Sequence, residues 1–335
     1  PAAPTALREP CARQREPAQL LRGVSSTFTL EARALPGGVD VLLGLSTSNG
    51  TALGLRLNAT TLVSTELLRD SSARELLGVV PQPAAPNASF VVDRANVGGF
   101  REWRTLPDRP GISLARTNRA LHLVERDSQH ERLLWPLGAD EELSRPRLEW
   151  QSDGQLALVL RRGGRQGKLV IGWLQPERGE RSPLRDLPFA GSELGLPSLA
   201  TQGDVALVAA AAREASDAPW HIELATTTRQ GRSRRLELPG LAATADRESF
   251  APSVTALPGA RWFLQWTEGQ QGLRRVRGVT LDAAFAVLSD PIVLSPAGAS
   301  AGGGSVLAVD EGVLSLFLVQ RAGGYELWGG TLSCR

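Results

Sequence analysis

Apolar residues in this chain fall in short runs, separated by turns that contain Gly or Pro. Almost none of the runs keeps a helical period. Residues 251–296 show the pattern most clearly. "PSVTAL" leads through a Pro-Gly turn to "RWFLQW". A Gly-containing turn follows, then "RRVRGVTLD" and "DPIVLS". The same order of four runs returns elsewhere. "RPRLEWQSDGQLALVLRR" precedes "KLVIGWLQ" and "SPLRDLPF"; "LPSLATQGDVALVAAAA" precedes "WHIELAT" and "RRLELPG". "GGSVLAVDEGVLSLFLVQ" precedes "YELWGGTLS", and "LEARALPGGVDVLLGLS" precedes "TALGLRLN" and "TLVSTELL". The second run of each unit is nearly continuous in apolar residues, as expected of a strand covered on both faces. Only "TELLRDSSARELLG" (65–78) has the look of a helix.

The units start at 146, 197, 252 and 304, so their spacings are 51, 55 and 52 residues. Position 30 joins this register through a shared "ALPG", Ala34–Gly37 and Ala256–Gly259. Four strands per unit at a period near 50 predict radial blades, since a sandwich would not repeat one ordered four-strand unit. Between positions 30 and 146 lie 116 residues, two units of 58. "SFVVDR", "GISLAR", "ALHLVER" and "HERLLWPL" are the strands expected in the divergent second unit. The predicted fold is therefore all-β: a β-propeller of six blades, with seven as the alternative if two short units share residues 47–145. Residues 11–335 are read as one propeller domain and residues 1–10, "PAAPTALREP", as a Pro/Ala-rich tether.

The last unit ends at "GTLSCR" without a fourth run. The N-terminal "EPAQLL" (16–21) matches "DPIVLS" (290–295), and in both cases thirteen residues separate the Pro from the next anchor. The N-terminal segment is therefore expected to form the outer strand of the final blade. On this alignment Cys11 and Cys334, the two cysteines of the chain, flank the missing turn between third and fourth strands. Adjacent strands satisfy the Cα spacing a disulfide needs. A bridge there would close the ring, and chain entropy puts its worth at about 5–6 kcal/mol at most. A lasting structural disulfide implies an oxidising compartment: periplasm, cell surface or secreted.

Composition narrows the picture. Net charge is +2 and pI about 9.0, with arginines scattered from Arg8 to Arg335, which argues against nucleic acid as a partner. Lys168 is the single lysine and Met is absent, a composition typical of GC-rich bacteria and of a processed chain. No apolar run reaches the roughly 18 residues of a membrane span. Membrane attachment is expected only through an N-terminal anchor outside this chain. Three Asn-x-Ser/Thr triplets, at Asn49, Asn58 and Asn87, read as chance in a Ser/Thr-rich stretch.

Chemical signals are sparse. His122, His130 and His221 lack the spacing of metal ligands, and no cofactor or metal is expected. The thiols are assigned to the bridge, and no Gly-x-Ser-x-Gly elbow occurs at a strand-to-helix turn. "GGRQGK" (163–168) lacks the pattern of a phosphate loop and reads as a hairpin turn; "AGASAGGGS" (297–305) reads as a flexible connection between blades. Glu141, Glu142 and Asp310 read as surface acids. Trp173, Trp262 and Trp266 are expected between blades. Trp103 and Trp220 lie nearer loops and are the candidate binding residues. The clusters Arg161/Arg162/Arg165, Arg232/Arg234/Arg235 and Arg274/Arg275/Arg277 read as protection of strand edges, with an anionic polysaccharide or lipid surface as the sharper alternative.

The unit "FAPSVTALPGARWFLQWTEG…RVRGVTLDAAFAVLSDPIVLSP", with the ending "YELWGGTLSC", resembles secreted and lipoprotein β-propellers of GC-rich bacteria, a group without assigned activity. The resemblance spans residues 11–335 and implies no catalytic residues. Trp-Asp repeats, the Gly-Gly pair of kelch repeats and the Ser-x-Asp-x-Gly-x-x-Trp box of sialidases are all lacking. The favoured function is a non-catalytic, extracytoplasmic platform that binds a protein partner or joins a cell-envelope assembly. The alternative is a carbohydrate-binding or carbohydrate-active propeller that takes polysaccharide at its central channel. Converging carboxylates and an exposed Trp at a channel mouth would favour the alternative.

Overall fold

A computed structural model of the chain describes residues 10–24, 29–34, 40–46, 52–69, 102–106, 109–116, 120–125, 131–136, 143–144, 146–151, 153–238, 247–310, 312–322 and 324–334. Among these residues every regular element is a strand. The chain opens with β1 (Ala12–Arg13) and β2 (Ala18–Val24). The first sheet holds β3 (Thr29–Ala34), β4 (Asp40–Ser46), β5 (Ala52–Asn58) and β6 (Ser64–Arg69). The second holds β7 (Glu102–Leu106), β8 (Arg109–Arg116), β9 (Ala120–Glu125) and β10 (Glu131–Pro136). The third holds β11 (Arg147–Trp150), β12 (Leu156–Arg162), β13 (Lys168–Gln175), β14 (Glu180–Arg181) and β15 (Arg185–Asp186). The fourth holds β16 (Glu193–Leu194), β17 (Ser198–Gln202), β18 (Val205–Arg213), β19 (His221–Thr228) and β20 (Ser233–Leu236). The fifth holds β21 (Ser249–Leu257), β22 (Arg261–Glu268), β23 (Arg275–Leu281) and β24 (Ile292–Val293). The sixth holds β25 (Ala301–Val309), β26 (Gly312–Arg321) and β27 (Gly324–Ser333).

The first five sheets are antiparallel meanders in sequence order, and the sixth takes its outer strands from the N-terminus, so the described residues form six sheets built like the predicted unit. The first strands lie side by side: β11 against β17, β17 against β21, β21 against β25, and β25 against β3. They are the inner edge strands of a radial arrangement. Apolar side chains that alternate along the second strands of the third to sixth sheets fill the seams on both sides. Val159, Ile171 and Trp173 meet Ala206, Val208 and Ala210 between the third and fourth sheets. Leu207 and Leu224 meet Trp262, Leu264 and Trp266 in the next seam, and Phe263 and Val276 meet Phe317 and Leu332 in the one after. Trp173, Trp262 and Trp266 thus lie between sheets, as expected. Gly278 is the floor under the Phe263 ring: a Cβ there would sit 2.4 Å from Phe263 Cζ.

The anchor that marked the repeat has a structural meaning. In the third to sixth sheets the inner strand gains one residue over its neighbour, at 143–147, 194–198, 250–253 and 302–305. Pro146, Pro197, Pro252 and Gly304 fall inside these bulges. Pro cannot donate to a ladder, so it is tolerated at an edge-strand bulge, where it also blocks unwanted pairing. Gly304 (φ +138°) serves where a Cβ would lie 2.0 Å from the carbonyl oxygen of Leu316. The residue after the bulge ties the ring together: Ser198 Oγ accepts from Val254 N and Ser253 Oγ from Val306 N, each at 3.0 Å. Amides add a second set of bonds at the repeat distance. Gln151 Nε2 donates to Gly203 O (2.7 Å), Gln202 Nε2 to Leu257 O (2.9 Å) and Gln265 Nε2 to Leu316 O (3.1 Å).

The ring closes as the unit alignment predicts. β2 pairs antiparallel with β27 as the outer strand of the sixth sheet, and Ala12 lies opposite Ser333. Cys11 and Cys334 are disulfide-bonded, with Cα atoms 4.1 Å apart, and both are buried. The neighbouring sheet grips the same point: Cys11 N donates to Thr280 Oγ1 at 3.0 Å and Arg261 Nη2 to Cys334 O at 2.5 Å.

Several expectations are corrected. The helical look of 65–78 gives way to strand β6 over its first residues, because Leu67 and Leu68 pair with β5; residues 70–78 lie outside the described residues. The first strand of the second sheet is β7, "EWRTL", and "SFVVDR" lies outside the described residues. The Gly-rich connection expected over 297–305 ends at Ser300, since Ala301–Val309 is already the inner strand β25; the bulge lets glycines continue a strand. In the turn after β5, Asn58 Oδ1 accepts from Thr60 N (3.1 Å), Thr61 N (2.8 Å) and Thr61 Oγ1 (3.0 Å). Of the expected tether only Pro10 is described.

Candidate functional site

The meander fixes which connections share an end. Turns between second and third strands lie at one end, with the approach to the next inner strand; turns between first and second and between third and fourth strands lie at the other. The first is called the turn end and the second the closure end. The Arg clusters therefore separate. Arg161/Arg162/Arg165 and Arg274/Arg275/Arg277 stand at the turn end, and Arg232/Arg234/Arg235 at the start of β20, at the closure end.

At the turn end the hairpins of the third, fourth and fifth sheets are tied to the following inner strand. Leu194 N donates to Arg165 O (2.7 Å), Ser249 N to Trp220 O (2.7 Å) and Ala301 N to Arg274 O (2.9 Å). Backbone bonds between successive sheets make this a fixed rim around the central axis. Within it Glu193, first residue of β16, faces Arg213, last of β18. Arg213 Nε and Nη2 both donate to Glu193 Oε2, at 3.1 and 2.7 Å. The pair is mostly buried, with the Glu193 and Arg213 side chains 12% and 18% exposed. The Arg213 guanidinium lies over the Trp220 ring at 4.6 Å, close enough for a cation–π contact. Trp220 is half-buried and packs against the seam between fourth and fifth sheets. Next to it Arg274 covers the Phe250 ring at 4.5 Å, and Arg277 Nε lies 3.3 Å from Glu268 Oε1. Arg161 Nη1 reaches Leu194 O at 2.7 Å from the third sheet.

Just below the rim sits a second acid. Glu223 is 2% exposed, yet it is fully engaged. His221 Nε2 lies 3.1 Å from its Oε1, Arg235 Nη2 3.1 Å from the same oxygen, and Ala190 N donates to Oε2 at 2.8 Å. Burial alone would push its carboxyl up; the His221, Ala190 and Arg235 contacts outweigh burial and hold it below the ordinary value of 4.5. A carboxylate so held is a structural anion, since a general acid needs the opposite shift.

Of the two candidate tryptophans, Trp220 occupies the turn-end rim. Trp103 is the second residue of strand β7, across from Ala115 of β8. Asp310 lies in the turn between β25 and β26, at the closure end, and Glu141 and Glu142 lie outside the described residues. His221 starts β19, and His122 lies within β9. Among the described residues no three His, Cys, Asp or Glu side chains gather as a metal set. Glu193 and Arg213 carried no sequence signal, because they are 20 residues apart and meet only through the β16–β18 register.

No protein-family model matches the sequence, and no curated protein matches it. Solved structures do match along nearly its whole length. An α-L-arabinanase of Penicillium chrysogenum, complexed with arabinobiose, superposes with a TM-score of 0.55 over 97% of this chain and 98% of that one, at 10% identity. A polysaccharide lyase, an ulvan lyase bound to -[GlcA(1-4)Rha3S]-, gives 0.50 over 98% and 84%, also at 10% identity. A protein of unknown function from Dyadobacter fermentans gives 0.55 over 97% and 99%, at 13% identity. The fold is a β-propeller. At such identities the likeness concerns the fold, and the chemistry of the rim rests on its own residues.

Proposed function

We propose that this propeller is an extracytoplasmic carbohydrate-binding protein that takes a polysaccharide segment at the turn-end rim. The observation that carries the reading is the Glu193–Arg213–Trp220 group. An indole held in place by a guanidinium, itself fixed by a mostly buried carboxylate, is a preorganised surface for a sugar ring. Rim hydrogen bonds to the next inner strand keep that surface from moving. The whole-length likeness to two carbohydrate-active propellers supports this reading over the interaction platform. The disulfide is compatible with a compartment where extracellular glycans are met.

Binding is placed ahead of cleavage. Glu193 is engaged by Arg213, and Glu223 by His221, Arg235 and Ala190 N, so neither stands as a proton donor. The test is calorimetric titration with a panel of neutral and uronate-bearing polysaccharides, with reducing-end release followed in parallel. At least one polysaccharide should bind, and Trp220→Ala should weaken it at least about tenfold, in line with the usual worth of an aromatic stack. Absence of binding across the panel, or binding unchanged by Trp220→Ala, would overturn the reading. Release of reducing ends would replace binding with catalysis.

A further inference from the structure

A cavity lies at the closure end, on the outer side of the seam between the fourth and fifth sheets. It measures about 510 Å3, within the range of small-ligand sites. Its walls are the last strand of the fourth sheet, Arg234 to Leu238, and the loop 284–287 between third and fourth strands of the fifth. Leu236 and Leu238 with Val287 form the apolar part; Arg234 stands exposed at the rim, Arg235 is paired with Glu223 at 3.1 Å, and Glu237 is an exposed acid of the same strand.

The loop that bears Phe285 is built rather than slack. Phe285 has φ +68°, a left-handed backbone that bulky residues rarely adopt. Four bonds impose it. Asp282 Oδ1 accepts from Ala284 N and Ala286 N, each at 2.8 Å; Phe285 N donates to Asp282 O at 3.0 Å; and Asp282 N donates to Ala286 O at 2.9 Å. The ring is half-buried, stacked on buried Trp262 at 5.6 Å between centroids and 25° between planes. Arg234 lies over the ring at 5.6 Å and also reaches Ala284 O. An aromatic platform held by its loop, an apolar wall and the Arg234 guanidinium over the ring fit one kind of occupant.

We propose that this cavity binds an amphipathic organic anion: an aromatic or apolar body against Phe285, Leu236 and Leu238, with a carboxylate, sulfate or sulfonate toward Arg234. The site is independent of the rim at the turn end. The two sites lie at opposite ends of the fold, and Arg234 and Phe285 take no part in the rim group of Glu193, Arg213 and Trp220.

The test uses 8-anilinonaphthalene-1-sulfonate and its uncharged relative N-phenyl-1-naphthylamine as fluorescent probes of the full folded chain. The sulfonate should bind at one saturable site, at least about tenfold tighter than the uncharged probe. Arg234→Glu, at an exposed position, should weaken it by about tenfold or more, as should Phe285→Gly, which tolerates the same backbone. Denaturant midpoints of both variants establish that the fold persists. Arg234→Glu alone decides the matter if Phe285→Gly fails to fold. Three results would each overturn the proposal: no saturable enhancement, equal affinity for both probes, or full binding by Arg234→Glu.

Discussion

Two arginines, at opposite ends of the fourth sheet, use the same ingredients for different ends. At the closure end Arg229 reaches out of the turn after β19. It meets Asp153 at 2.5 Å, Asp204 Oδ1 at 3.5 Å and the Gln151 amide oxygen, and lies 5.9 Å from the Trp173 ring. Its partners come from two sheets, and the tryptophan is 5% exposed. The hydrogen bond from Arg229 holds Asp153 below its ordinary value. Nothing is left on that tryptophan for a ligand. At the turn end Arg213 has one carboxylate partner and a half-exposed tryptophan. An arginine with several partners from neighbouring sheets joins them. One whose single acid partner fixes it against an open ring prepares a surface.

The comparison implies that closure-end changes cost stability and spare glycan binding, while turn-end changes do the reverse. The largest effect should come from the disulfide. Cys11→Ser with Cys334→Ser should lower the free energy of unfolding by about 2–5 kcal/mol. The bonds from Cys11 N to Thr280 and from Arg261 to Cys334 O would remain to hold β1 in register. Denaturant titration measures the loss, and calorimetry should find sugar affinity unchanged. An equal loss of affinity would mean the two ends are mechanically coupled.

Next, Arg229→Ala should cost about 1–2 kcal/mol, because its side chain is partly exposed and its ion pairs are discounted accordingly. Trp220→Ala should cost less stability than Arg229→Ala while carrying the loss of binding. A crossed result in the two assays would erase the distinction. Ser253→Ala should cost about 1 kcal/mol by leaving Val306 N unpaired in the inner ring, readable in the same denaturant midpoint.

The smallest effect should appear in acid. Glu223 has a folded value below 4.5, so its contribution is complete above that pH and is lost as pH falls through the lower folded value. Glu223→Gln should therefore flatten the fall of melting temperature on acidification below about pH 4.5 relative to the parent chain. Parallel acid limbs in parent and variant would remove Glu223 from the account.

Much of this architecture is legible in the amino-acid order because a propeller repeats. Pro146, Pro197 and Pro252 mark the inner strands, since a residue without N–H survives where an edge strand bulges. The offset of "EPAQLL" from the first anchor places β2, and the cysteines follow from the same alignment. Trp220 is legible as a candidate because it stands at a turn between two strong strands.

Other features become visible only in three dimensions. Trp103 sits in a strand whose unit has diverged from the repeat, so alignment assigned it no register. Glu193 and Arg213, or Gln265 and Ser315, meet across 20 and 50 residues, and nothing local in either member announces the other. Phe285 takes its left-handed backbone from the hydrogen bonds of Asp282 and the ring of Trp262, against its own preference. Strand period and turn chemistry are local properties, and the chain carries them openly. Which side chains share a rim, a seam or a cavity depends on how successive sheets pack around the axis, and that packing is a property of the assembled ring.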